Sequence, residues 1–194
     1  PPRELELDDR FARVASAGLS LARYWNPSGD RIAWLADEEV ERFDSLLDQA
    51  TARGLAAGRT SIFLSGGFDS VSVAAVAADL AVRTDRPLPL ALSLAFPAPS
   101  CDERVLQTTV ADTLGLPLHI EELHEASGPR GLLAAGLELS RDLPTPLFNS
   151  WMPAYVALTR HARAAGATTG LTGEGGDEWL LTSPYLAADL IARA

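Results

Sequence analysis

The 194-residue sequence predicts an α/β fold built on a mostly parallel sheet. Three observations predict it. Short β-type apolar runs alternate with stretches of helical period. Two of those runs open directly into glycine-rich loops followed by a helical stretch, at Ser65–Ser70 and Thr172–Glu178. The sequence has no internal repeat and no low-complexity tract, so the alternation reads as one α/β unit.

The elements follow in order. Residues 1–35 are mixed and end in Tyr24-Trp25-Asn26-Pro27, read as a loop-like approach from an upstream domain, with the ligand-binding domain over 36–194. Asp37–Arg53 has apolar residues at Val40, Phe43, Leu46, Leu47 and Ala50, an amphipathic helix expected to close at Gly54. Ser61–Leu64 is a strand, Ser65–Ser70 a tight loop, and Val71–Val82 a helix. Leu88–Phe96 is a buried strand, and Asp102–Leu114 is a helix stopped by Gly115. Leu118–Leu123 is an edge strand. Gly131–Leu143 is a helix broken by Pro144-Thr145-Pro146, Ser150–Ala165 is the next helix, and Thr168–Leu171 is the fourth strand of the sheet.

Crossover connections make neighbouring strands parallel. Winding the first three strands outward, then returning to set the fourth beside the first, gives the order 3-2-1-4. The switch point then lies between the first and fourth strands, where open α/β sheets take ligands beyond the strands' carboxyl ends. The loops leaving those strands are the two glycine-rich segments.

In Ser65-Gly66-Gly67-Phe68-Asp69-Ser70, the glycines let backbone N–H groups approach an anion, the helix start adds partial positive charge, and Ser65 and Ser70 add hydroxyls. The spacing is not that of the G-x-x-x-x-G-K-[ST] loop. Asp69 either caps the helix or holds Mg²⁺ against phosphate oxygens. Thr172-Gly173-Glu174-Gly175-Gly176-Asp177-Glu178 is too anionic to cradle phosphate without a metal; alone it reads by default as a solvated acidic turn with a Gly-rich bend. Brought together at one switch point, the pair favours a metal–nucleotide site.

Composition limits the alternatives. The formal net charge of −10 gives no basic stripe for nucleic acid. No apolar run reaches transmembrane length, and no leader pattern is present, so a cytoplasmic location is expected. One cysteine, Cys101, excludes an internal disulfide and reads as a small packing residue. His119, His124 and His161 lack metal-ligand spacing and read as surface or structural residues. The four tryptophans read as packing residues, with Trp179 alone near a motif. The chain starts at Pro1-Pro2 and stops at Ala194 within an apolar helical pattern, so it is expected to be part of a longer protein.

The Ser65–Ser70 motif resembles the S-G-G-x-D-S loop of ATP pyrophosphatases, and Gly173–Glu178 resembles the signature of the asparagine synthetase branch. Asp102-Glu103 and Pro144-Thr145 extend the resemblance. It implies a Rossmann-like, three-layer PP-loop (HUP-type) fold. It also implies an AMP-forming ligase: a carboxylate attacks the α-phosphorus of ATP, pyrophosphate leaves, and ammonia or an amine displaces AMP. By the same resemblance Ser65, Gly66, Gly67 and Ser70 cradle pyrophosphate, and Asp69 and Asp177 hold Mg²⁺. Leu64 and Leu94 flank adenine, Thr172 and Gly173 contact the nucleotide, and Glu174 lies near the reacting carboxylate. β-Lactam-forming relatives use a tyrosine there, so Glu174 counts against that chemistry.

The chain departs from the family in three ways. The glutaminase half that begins with a nucleophilic cysteine is not in the sequence, and Cys101 cannot replace it. The family's catalytic lysine follows the acidic loop, whereas all 16 basic residues here are arginines; the chain by itself is expected to bind nucleotide poorly and not to turn over. Trp179–Tyr185 departs from the L-F-G-G-Y ending of asparagine synthetases and resembles macrolactam (lasso-peptide) cyclases. Three readings stay open: an amide-forming ligase with a small-molecule or peptide carboxylate, another PP-loop ATP pyrophosphatase, or a nucleotide-binding module without activity.

Overall fold

The computed structural model describes residues 12–15, 18–21, 37–141, 143, 149 and 151–176. The chain divides into two units, Pro1–Glu41 and Arg42–Ala194. The first holds an antiparallel hairpin of β1 (Ala12–Ala15) and β2 (Gly18–Leu21), with Ala15 opposite Gly18. The sequence reading had only a loop-like approach there. Four-residue strands are too short for a period-2 pattern to stand out.

The remaining elements are α1 (Asp37–Ala56), β3 (Thr60–Phe63), α2 (Phe68–Arg83), β4 (Leu90–Ala95), α3 (Arg104–Leu114) and β5 (Leu118–Glu122). They continue with α4 (Leu123–Ser127), α5 (Gly131–Ser140), α6 (Met152–Ala164) and β6 (Thr169–Leu171). Four strands form one parallel sheet in the order β5-β4-β3-β6. This is the predicted 3-2-1-4 order, and the fold is Rossmann-like.

Alternation along the strands builds two cores. Ile62, Leu64 and Ala91 face α2 and α3, where Ala74, Ala78 and Ala111 are buried. Leu92 and Leu94 face α6, where Ala154, Leu158 and Ala162 are buried, with Phe63 packed alongside. Alanines at the contact let both helix layers approach the sheet closely. The result is three layers.

One helix end moved for a physical reason. α1 runs through Gly54 to Ala56, so Gly54 is not the stop. A Cβ there would come 2.7 Å from Leu171 Cδ2, so the glycine serves close approach. α3 does end at Gly115, whose φ of 68° is left-handed, as expected of a helix-terminating glycine. α4 was not foreseen, because five residues carry too little period to read. Tyr24, Trp25, Trp34, Pro144–Pro146 and 177–194 lie outside the described residues.

Candidate active site

β3 and β6 are parallel neighbours, paired from Thr60–Thr169 to Ile62–Leu171. Both therefore discharge their loops at the same sheet end, and two residues past the last pair come Leu64 and Gly173. The loops meet there. A Cβ on Gly173 would lie 2.6 Å from the Ser70 backbone nitrogen and 2.8 Å from the Asp69 carbonyl carbon. A Cβ on Gly176 would overlap the Asp69 carboxylate. Only glycine permits this approach.

Within the first loop the hydroxyls are used internally. The Ser65 amide donates to Ser70 Oγ (3.2 Å), the Gly67 amide donates to Ser65 Oγ (3.3 Å), and Ser70 Oγ donates to Gly67 O (3.1 Å). Ser70 has one hydroxyl proton and spends it on Gly67, so Ser65 is the donor across the 3.0 Å Ser65–Ser70 contact. Gly66 takes φ 91°, which favours glycine. Helix α2 starts at Phe68, three residues before the expected Val71, with Gly67 as its N-cap and no side-chain cap. Asp69 therefore lies in the first turn and is not the cap. Its charge there is favourable to the helix dipole, and among the described residues no side chain caps the first-turn amides.

A cavity of about 720 Å³ opens over these loops. Leu64, Ser65, Gly67, Asp69 and Ser70 line it from the β3 side, Leu94 from β4, and Thr172, Gly173 and Glu174 from the β6 side. Leu64 and Leu94 belong to opposite cores, at 1% and 9% exposure, and both line the cavity. Among the described residues, no arginine lines the cavity, while Asp69, Glu103 and Glu174 do. Asp177 lies outside the described residues.

The sequence reading missed several lining residues. Tyr155 and Thr159 come from one face of α6, and Tyr155 packs edge-to-face on Phe63 with centroids 5.4 Å apart. Asn149 Oδ1 accepts from the Trp151 amide at 2.8 Å, closing a turn just ahead of α6, whose N-cap is Trp151. No motif marks these positions. The helical pattern of 150–165 was the available signal, since a helix following the third strand must cover the sheet face beside the switch point.

One other reading is corrected. Cys101 is exposed, in the bend between β4 and α3, and is not a packing residue. His119 and His161, unrelated by spacing, stack with ring centroids 3.4 Å apart, and His119 Nε2 lies 2.8 Å from Glu121 Oε2. The parallel strand order brings β5 beneath α6, which sequence spacing does not show. Among the described residues no group of three His, Cys, Asp or Glu could hold a metal ion. Among the described residues no helix is long and apolar enough to cross a membrane.

A parallel α/β sheet whose switch point carries two closely approaching glycine-rich loops over one cavity is the ligand-site arrangement of Rossmann-like α/β proteins. Residues 42–193 match the family model described as Asparagine synthase. The chain belongs to the asparagine synthase family, and it carries an ATP-dependent synthetase-type domain. Among curated proteins, none matches the chain.

Proposed function

We propose that this domain activates a carboxylate with ATP as an acyl-adenylate and passes the acyl group to ammonia or an amine. The observation that carries this reading is the contact of Gly173 and Gly176 with the Asp69–Ser70 turn, over a cavity large enough for a nucleotide.

In this reading the uncapped first-turn amides of α2 and the Gly66–Gly67 bend hold the departing pyrophosphate, while Leu64 and Leu94 flank the adenine. Thr172 and Gly173 contact the nucleotide. A substrate carboxylate oxygen forms a bond to the α-phosphorus, and the bond from that phosphorus to the bridging oxygen breaks, so pyrophosphate leaves with the electron pair. The amine nitrogen then bonds to the acyl carbon, and AMP departs. Glu174, on the exposed lip of the cavity, accepts the proton that the amine sheds.

The lining residues suit Mg²⁺. Among the described residues, three lining carboxylates and no lining arginine would leave a polyphosphate facing unopposed negative charge. Mg²⁺ is commonly held by one or two carboxylates together with phosphate oxygens. Asp69 would hold it, with Asp177 as the second ligand implied by the family pattern. The bound ion would neutralise charge on the departing pyrophosphate.

The test is titration calorimetry with the natural protein. ATP should bind in a Mg²⁺-dependent way and be displaced by inorganic pyrophosphate. Labelled ATP with a carboxylate and an amine should give AMP and pyrophosphate. Formation of ADP and phosphate would overturn the reading.

A further inference from the structure

Gln107, on the first turn of α3, is 2% exposed and forms part of the cavity wall. Its Nε2 donates to two backbone carbonyls, Ser65 O and Leu94 O, each at 3.4 Å. These partners fix the amide's orientation, because an oxygen turned the same way would face two acceptors. Ser65 opens the phosphate-type loop and Leu94 lies near the end of β4. One side chain thus ties two adjacent strands where the sheet gives way to the cavity.

The backbone ladder runs out at this level. Beyond the bond from the Leu64 amide to Leu92 O (2.9 Å), side chains take over the carbonyls. Ser93 Oγ donates to Leu64 O at 2.7 Å, and Gln107 takes Ser65 O. With both carbonyls occupied, neither is presented to an incoming anion.

Among the described residues, Gln107 Oε1 is a buried side-chain polar atom with no hydrogen-bond partner. Such an orphan costs stability, while an apolar side chain of the same length would instead leave Ser65 O and Leu94 O without this donor. A polar group kept at a loss beside a ligand cavity marks function more than packing.

We propose that Gln107 is a positioning residue that holds the Ser65 carbonyl back, so that the Gly66 amide and the first-turn amides of α2 face the polyphosphate. This rests on the ATP-binding reading above. The test is Gln107→Met, which keeps length and bulk but removes both polar ends. Three measurements are made on it and on wild type: thermal unfolding, hydrogen exchange of the ligand-free protein, and calorimetric titration with ATP and Mg²⁺.

Gln107→Met should stay folded with an unfolding temperature lowered by no more than a few degrees, exchange the Ser65 and Gly67 amides about tenfold faster, and bind ATP about tenfold more weakly. Loss of the fold, or a lowered unfolding temperature with unchanged exchange at 65–70, would make Gln107 a structural residue and overturn the proposal. Unchanged exchange and unchanged affinity would overturn it too. A wild type that takes no ATP would refute the functional reading alone, and the exchange comparison would still decide the role of Gln107.

Discussion

Gly176 lies against the Asp69 carboxylate so closely that a methyl group at 176 would occupy the carboxylate's place. Two loops from strands far apart in sequence are thereby fixed on one acidic side chain. Gly176→Ala is therefore expected to displace Asp69. Its affinity for ATP with Mg²⁺ should fall at least about tenfold, roughly 1.4 kcal/mol. Calorimetry on the natural protein checks this, and wild-type affinity would disprove the crowding argument.

Asp69→Asn separates charge from shape. The side chain sits in the first turn of α2 without capping it, so its charge contributes only about 0.3–1 kcal/mol to the helix. Turnover of the natural protein should drop about 100-fold or more, with the unfolding temperature shifted by only a few degrees. Turnover at the wild-type rate would remove Asp69 from the proposed metal site.

Ser70→Ala should act mainly on stability. The buried Ser70 hydroxyl joins Ser65 N, Ser65 Oγ and Gly67 O, and its loss strands several polar groups of one loop. A cost of about 1–3 kcal/mol is expected in urea unfolding. A change below about 0.5 kcal/mol would mean that water or an ion already satisfies these groups.

Arg83 offers a pH test. The hydrogen bond with Asp48 (3.1 Å) raises its pKa, and Asp79 at 2.7 Å, one helical turn earlier, adds to the shift. A raised folded-state pKa adds stability that is complete below the unfolded value and is lost as pH rises through the folded one. For an arginine that window is strongly alkaline. The stability difference between wild type and Arg83→Ala should therefore stay flat from about pH 6 to about pH 9. It should shrink with salt, because the pair is solvent-exposed. A slope within that range would point to a different titrating partner.

The sheet was legible because its signals are local. Each buried strand is a short apolar run bounded by Gly, Pro or polar residues, and crossover logic ordered the four strands without tertiary information. The two loops were legible because glycine spacing carries its own geometry. What escaped depends on the third dimension. Gly54 looks like a helix stop until Leu171 is seen against it. The stacking of His119 on His161 arises from the packing of α6 over β5. Gln107 is an ordinary polar residue in an amphipathic helix until Ser65 O and Leu94 O are found at its amide. Phe68, expected in the loop, is the first residue of α2 and is 93% exposed among the described residues. The adjacent glycines hid that helix start.

The pairing of β6 with β3 has a kinetic consequence. Ser61 Oγ donates to Thr169 O across 108 positions of sequence, and β6 contributes only three residues to hold the seam. The segments β3–α2–β4–α3–β5 follow one another along the chain and can associate through short loops, whereas β6 must close a long one before its few bonds repay the lost entropy. Docking of this last strand is thus expected to be the slow folding step, and the catalytic cleft comes into being only with it. In a refolding experiment, bulk secondary structure should appear before any capacity to bind ATP. Simultaneous recovery of the two signals would show that β6 is already in place in the rate-limiting transition state.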